Sequence, residues 1–585
     1  MALGQRREVT WREIAVVALG SCLLAVVMHW PLVLNLGDTI PKDLGDPLPQ
    51  AWQVAWGGHA ISSQPFDFFQ SNQFWPERDS LAFGDALIGY APAGLIGDGP
   101  HAAVVRYDLL FLLAYALCFL GAYLLARELG IGPVGAAVAG AGFAFAPFRL
   151  EQDGHMQVIS SGGIPLTLAL AVRGVRLRSP WLLLAAWAVA AWQLSIGFAI
   201  GLPFAYLLAL LIAIGAVVWW RRGRPALDRR LLAAGAIGGL LFVVAAAVIA
   251  APYFRVADDH PEATRPPSTV EEFSGPLSVF VLSSDENWVW GDATLDLFNE
   301  VNNPAEKTLF PGLVILLLAA VGLGSSVFPR WLRIGLGAAV LGISVLALGF
   351  QEDDGWLWPY RIVYDLLPGW EAIRTPGRLL TFSTLALALL AGAGAQSLYQ
   401  AARRRLDERS RESDPRVARI ALGSLAALLV AAVVIEGRGL PFDPFDDQDQ
   451  PAPPVAASKT ADAPAPQLHL PALSADDNRR YLLWSTDGFP DIVNGRASTR
   501  PDRIEQLIEE MAGFPDAPTV AALRDYGVRS VVLHTDRTAF SPQAGAAGAP
   551  IKGLGIERRS LPGGLVVYEL GSPSTGSAPT AGPEG

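Results

Sequence analysis

A chain of 585 residues would make about four soluble domains of ~150 residues each, but the composition rules that out. Hydrophobic residues account for 51% with 59 glycines besides, and charged residues for only 17%, against about 25% in soluble domains. Disorder and coiled coils need more charge than this, and a net charge of −11 lacks the basic footprint required by nucleic acid, which leaves an α-helical polytopic membrane protein.

The first apolar run begins behind Gln5-Arg6-Arg7 and passes through Leu19-Gly20-Ser21-Cys22, a pattern that could be taken for a lipoprotein signal. Apolar sequence continues to Leu34, so the run reads as an uncleaved membrane helix. Runs of spanning length, about 20 residues, lie near 13–34, 103–127, 131–148, 156–173, 180–198, 199–220, 231–252, 308–325, 333–350, 377–398 and 417–436. They predict about eleven transmembrane helices within residues 1–436. With the N-terminus cytoplasmic, Arg6, Arg7 and Arg12, then Arg127, Arg173/Arg176/Arg178, Arg221 to Arg230, Arg330/Arg333 and Arg403 to Arg419 all fall on one side, as the positive-inside rule requires. The opposite side receives long loops at 35–102, 253–307 and 351–376 and everything after Glu436.

Residues 437–470, acidic and rich in Pro and Ala, read as a linker, and 471–571 as a small extracytoplasmic α/β domain. In that domain Arg480 to Trp484 reads as a strand, Arg503 to Met511 and Thr519 to Tyr526 as helices, and Ser530 to His534 and Gly564 to Leu570 as strands. The tail 572–585 reads as disordered. The two cysteines, Cys22 and Cys118, both lie in apolar runs and make neither a disulfide framework nor a thiolate metal site.

Chemistry-bearing residues gather in the external loops. Asp43 and Asp46 follow the first helix, ahead of a Trp-containing segment, Gln50 to Ser62, that suits an interfacial helix on the membrane surface. Their spacing fits a general base and a metal or substrate ligand; equally, Asp46 before Pro47 fits an N-cap with Pro at N1. Arg149 to Gln157 is a polar knot containing His155. Arg149 fits either a lipid-linked phosphate or a headgroup anchor. Glu306 stands at the membrane edge before Phe310-Pro311-Gly312, and Arg374 and Arg378 flank a Pro-marked helix start able to seat an anion.

These features resemble the GT-C superfamily of membrane glycosyltransferases. The resemblance rests on Gly45-Asp46-Pro47-Leu48 with its Trp-containing helix, Ala146-Pro147-Phe148-Arg149 leading to His155-Met156-Gln157, Glu306 before Phe310-Pro311-Gly312, and Leu367-Pro368-Gly369 with Arg374-x-Pro376-x-Arg378. Val493-Asn494-Gly495 and Leu523 to Arg529 extend it into the external domain. It implies a polyprenyl-phosphate-linked sugar as donor, an extracytoplasmic glycan, lipid or protein acceptor, and a plasma-membrane location. It also implies inverting transfer with Asp46 or Asp43 as base, and Arg149, His155, Gln157, Glu306, Arg374 and Arg378 as substrate-binding residues. The adjacent acidic pair of several branches is missing, so the sequence leaves the metal unknown and does not require a divalent ion. Two other readings remain open, a flippase of lipid-linked saccharides and a non-catalytic cell-envelope assembly protein.

Overall fold

The structure, a computed structural model, describes residues 8–226, 228–263, 266–351, 358–409, 415–440, 460 and 462–571. Arg6 and Arg7, most of the acidic Pro/Ala segment, parts of the 351–376 and 403–419 loops and the 572–585 tail lie outside the described residues. The protein is an α-helical polytopic membrane protein with a small C-terminal sheet. Among the described residues, eight helices are long and apolar enough to cross a membrane, from Trp11–Met28 to Pro415–Glu436, and three shorter apolar helices, Pro133–Ala144, Pro180–Ile196 and Leu313–Gly324, stand where the remaining runs were expected.

Two carboxylates, the half-buried Glu13 and the buried Glu128, order one end of the helical bundle. Glu13 takes Arg127 at 2.6 Å, and Glu128 takes Arg173 at 3.2 Å and Arg176 at 2.9 Å. The start of the first helix is thereby joined to the end of Gly99–Glu128, and that end to the end of Gly163–Leu177. At the other end Glu436 accepts hydrogen bonds from the Leu313 and Val314 N–H groups at 2.6 and 2.8 Å and from the Trp290 indole at 3.0 Å. The last helix thus caps the free donors of Leu313–Gly324.

Helix Pro47–Ser63 corrects the expectation of an interfacial helix. Trp52 and Val54 are fully buried and Trp56 nearly so, because the helix is covered by the segment Ile88–Leu95 on one side and by the C-terminal domain on another. Small residues permit this packing. A Cβ at Gly58 would overlap the backbone of Gly94, and one at Gly57 would crowd Ala91.

The C-terminal domain contains a four-stranded sheet: β1 (Gln467–Leu470), β2 (Ser530–His534), β3 (Glu557–Leu561) and β4 (Leu565–Glu569), in the order β1-β2-β4-β3. β1 runs parallel to β2 with Gln467 opposite Ser530, and the other pairs are antiparallel. The domain therefore begins before residue 471, inside the stretch read as linker. Arg480 to Trp484, read as a strand, belongs to the helix Ala475–Trp484. Ser474 caps that helix through the Asp476 and Asp477 N–H groups, and burial of Asn478, Tyr481, Leu482 and Leu483 follows the helical period rather than strand alternation.

This domain is locked to the long loop that follows the first helix. The Asn72 carboxamide accepts from the Trp52 indole at 3.0 Å and donates to Ser485 Oγ and the Pro490 carbonyl. Main-chain bonds then pair Phe74 with Asn494 and Trp75 with Ile492. Replacing Gly58 by Ala is expected to destabilise the fold by about 1–3 kcal/mol through overpacking, read as a lowered unfolding temperature in detergent. Gly20→Ala, where nothing lies within 4 Å, serves as the neutral control, and equal behaviour of the two variants would contradict the close approach.

Candidate functional site

Asp46 occupies the N-cap position of Pro47–Ser63, with Pro47 at N1, yet its side chain makes no capping hydrogen bond. With φ −64° and ψ −26° its backbone is already helical, whereas a capping side chain needs an extended residue there. The carboxylate is turned outward from the helix end. Oδ2 lies 3.6 Å from His155 Nε2, and Oδ1 lies 3.6 Å from an Arg479 guanidinium nitrogen. His155 Nε2 stands 3.7 Å from Glu306 Oε1 on its other side, and Glu306 receives Arg378 in a two-pronged ion pair, Nε to Oε2 at 3.0 Å and Nη2 to Oε1.

Thus the structure brings together Asp46, His155, Glu306, Arg374 and Arg378 from four separate parts of the sequence, and adds Arg479 from the C-terminal domain. Asp46 is the open member, its side chain 45% exposed against 15% for His155 and 8% for Glu306. Arg374 stacks over the Phe273 ring at 5.3 Å and has no carboxylate within ion-pair distance among the described residues, although Glu306 and Asp46 act on it through space.

The supporting bonds explain why the loops hold this shape. Gln50, one turn into the helix, accepts from the Met156 N–H at 2.9 Å and the Tyr107 hydroxyl at 3.1 Å, and donates to the Gly154 carbonyl and to Gln157 Oε1. It therefore fixes the backbone on both sides of His155. Lys42 adopts φ 75°, an uncommon region for a residue with a Cβ. Its ammonium binds Glu286 at 2.7 Å and Glu151 at 3.2 Å, tying the loop before Asp46 to two others.

Asp43 accepts from the Gly45 N–H at 2.7 Å, which shapes the turn, and it has no ion pair with His155 or with an arginine among the described residues. Gln157 stands at the edge of the group through Gln50. Arg149 lies apart: it is fully buried and donates to the Ile159 carbonyl at 2.6 Å and Ser161 Oγ at 3.1 Å, bridging two turns of the chain. Gln50, Lys42 and Arg479 were not singled out from the sequence. Gln50 was legible as the polar residue nearest the start of a Trp-rich buried helix; Arg479 was hidden by the misread strand.

Burial alone would raise the Glu306 carboxyl, but Arg378, His155 and Arg374 outweigh it and hold the group down at about 2. His155 is pushed below its ordinary value by burial and by Arg378, against the pull of Glu306 and Asp46. Its imidazole is therefore neutral near pH 7, and its Nδ1 is buried without a partner. At 3.6 and 3.7 Å its contacts to the two carboxylates exceed hydrogen-bond length, leaving Nε2 available to a ligand.

A divalent ion does not fit this donor set. Both Glu306 oxygens face Arg378 and Asp46 Oδ1 faces Arg479, and among the described residues no group of three His, Cys, Asp or Glu side chains is arranged to hold a metal ion, whereas oxygen-ligated cations need several such ligands.

No family model matches the sequence, and no curated protein matches it. Among solved structures, the chain is similar to the arabinofuranosyltransferase AftD from mycobacteria, with 16% identity and a TM-score of 0.50 over 97% of this chain and 42% of that one. This chain has the GT-C fold. It spans less than half the length of AftD. The oligosaccharyltransferase of Archaeoglobus fulgidus also aligns, at 15% identity and a TM-score of 0.42, over 90% of this chain and 70% of that one.

Within this GT-C fold, the Glu306–Arg378 pair is expected to stabilise the protein. The Glu306 carboxyl is depressed from 4.5 to about 2, so its contribution is present above about pH 4.5 and is lost as pH falls through about 2. Glu306→Gln leaves Arg378 buried without its counter-charge, at a cost of about 3–5 kcal/mol. The difference in unfolding temperature between wild type and Glu306→Gln should be largest near neutral pH and shrink in acid; a pH-independent difference would contradict the pairing.

Proposed function

We propose that this chain is a membrane glycosyltransferase that transfers a sugar from a polyprenyl-phosphate donor to an acceptor hydroxyl on the extracytoplasmic side, with inversion. The reading is carried by one observation: an uncapped, solvent-reachable Asp46 stands between His155 and a cluster of guanidinium groups, next to an apolar cavity. That cavity, about 510 Å³, is lined by residues including Pro203, Tyr206, Leu210, Leu346, Trp370 and Phe382. Leu379, which also lines it, directly follows Arg378 in the chain; in this reading an isoprenoid tail occupies the cavity and its phosphate is received by Arg374.

Asp46 takes the proton of the acceptor hydroxyl as the oxygen attacks the anomeric carbon from the face opposite the phosphate. The new C–O bond forms while the bond from anomeric carbon to phosphate oxygen breaks, and the departing phosphate carries the electron pair to the unpaired charge of Arg374. Neutral His155, with Nε2 free, donates a hydrogen bond to the donor, while Arg378 holds Glu306 and so sets the edge of the pocket. Asp43 shapes the turn that presents Asp46. Arg149 and Gln157 support the polar knot around His155 rather than the phosphate.

The shared face of Glu13, Arg127, Arg173 and Arg176, with further arginines in the alternate loops, favours a cytoplasmic N-terminus at a plasma membrane. Asp46, His155, Glu306 and Arg378 all belong to the other set of loops, which puts the site and the C-terminal domain outside the cytoplasm. A membrane domain ending near 436 and an external domain from about 460 to 571 follow from the same assignment.

The test uses full-length protein in liposomes with radiolabelled polyprenyl-phosphate sugars and cell-envelope extract as acceptor. Asp46→Asn should lower transfer by about 10²–10⁴-fold with an unchanged unfolding temperature, and Arg374→Gln should raise the KM for donor. Full activity in Asp46→Asn would remove Asp46 as the base.

A further inference from the structure

The two oxygens of Asp46 face different parts of the molecule. Oδ2 faces His155, and through it Glu306 and the membrane-domain arginines; Oδ1 faces Arg479, which belongs to the C-terminal domain. Helix Ala475–Trp484 packs across Pro47–Ser63 and delivers this guanidinium to the helix start. Arg479 also pairs with Asp476 at 2.6 Å, a residue exposed on its own helix, and its Nε is buried without a partner.

Arg496 lies within electrostatic reach of both Arg479 and Asp46. Its position is fixed by neighbours on both sides: the Asn494 carboxamide accepts from the His469 N–H at 2.6 Å and donates to the His469 carbonyl at 2.9 Å. Gly495 lies so close to the Phe74 ring that a Cβ would overlap it, and the Arg496 N–H donates to Gln73 Oε1 at 3.3 Å. The side chain is half-buried and meets no carboxylate within ion-pair distance among the described residues. Burial and the neighbouring charge of Arg479 both press its pKa down, with Asp46 opposing. Of these two partly buried guanidinium groups, Arg479 has the exposed Asp476 and the open Asp46 as counter-charges, while Arg496 lacks the ion-pair partner that buried cations require.

Arg374 is the corresponding unpaired cation on the membrane side, beside the apolar cavity. Asp46 therefore acts through space on two arginines that have no ion-pair partner among the described residues, Arg374 from the membrane part and Arg496 from the C-terminal domain. We propose that Arg479 and Arg496 form the acceptor subsite and that the acceptor is anionic, a glycan carrying a carboxylate or phosphate near its reacting hydroxyl. An anion bridging these two forks places that hydroxyl over Oδ1 of Asp46, while the donor phosphate rests at Arg374. This assignment rests on the transferase reading above and names the substrate class of its second half.

The test measures binding to the full chain in nanodiscs, with polyprenyl phosphate as donor-side probe and methyl β-glucuronide and methyl β-glucoside, which differ by a carboxylate, as acceptor-side probes. Wild type should prefer the glucuronide by about tenfold, the worth of roughly one charge-assisted hydrogen bond. Arg496→Gln should reduce that preference to within about twofold, Arg496→Lys should retain part of it because the charge remains, and polyprenyl phosphate should bind Arg496→Gln as it binds wild type. Arg374→Gln should do the reverse. Equal binding of the two glycosides by wild type, no binding of either, or an undiminished preference in Arg496→Gln would overturn the subsite. Loss of polyprenyl phosphate from Arg496→Gln in step with the glucuronide would assign both arginines to the donor. Failure of wild type to bind polyprenyl phosphate while the glucuronide preference persists would instead count against the transferase reading alone. Unfolding temperatures of the variants separate binding loss from misfolding.

Discussion

The buried ion pair between Glu306 and Arg378 sets the electrostatics of everything around it. Both partners are removed from water, so neither is stable there alone, and their two-pronged contact joins the loop before Leu313–Gly324 to the start of the long helix that follows Pro376. The pair keeps Glu306 ionised while the charge of Arg378 helps keep His155 neutral. Because Arg378 is matched by Glu306, Arg374 is left as the uncompensated cation. A pocket with one committed and one uncommitted arginine is suited to receiving an anion that arrives and departs.

A second constraint is the burial of Pro47–Ser63 on several sides. Its small residues admit the backbone of Gly94, and its tryptophans are covered by the C-terminal domain. The same helix presents Asp46 at its start and Gln50 a turn later. Packing of the C-terminal domain and placement of the carboxylate are therefore one structural event: displacing the domain uncovers Trp52 and Trp56 and withdraws Arg479 from Asp46. The domain thus completes the pocket that begins in the membrane part.

Much of the architecture was legible in advance. All eleven apolar runs correspond to helices in the described residues, because a segment that crosses hydrocarbon must satisfy its backbone internally and be apolar over a set length. The concentration of Asp46, His155, Glu306 and the arginines in one set of loops was visible by the same arithmetic. Less legible were the distinctions among neighbours. Asp43 and Asp46 are three residues apart in similar loop sequence, but one folds back onto Gly45 while the other looks out over His155. Arg149 and Arg374 are both arginines at helix ends, yet one is consumed by main-chain carbonyls and the other is not.

Gln50 to Ser62 was read as interfacial and Arg480 to Trp484 as a strand because apolar residues interspersed with polar ones do not say what will cover them. By itself, the sequence determined the α-helical membrane class and where each apolar run becomes a helix, since these depend on local composition and length. Only the tertiary structure decided which carboxylate stands uncapped, which arginine lacks a partner, and that a residue more than 430 positions along the chain from Asp46 stands within 4 Å of it. Those outcomes depend on distances between segments remote in sequence, and such distances are set by packing and desolvation, not by local pattern.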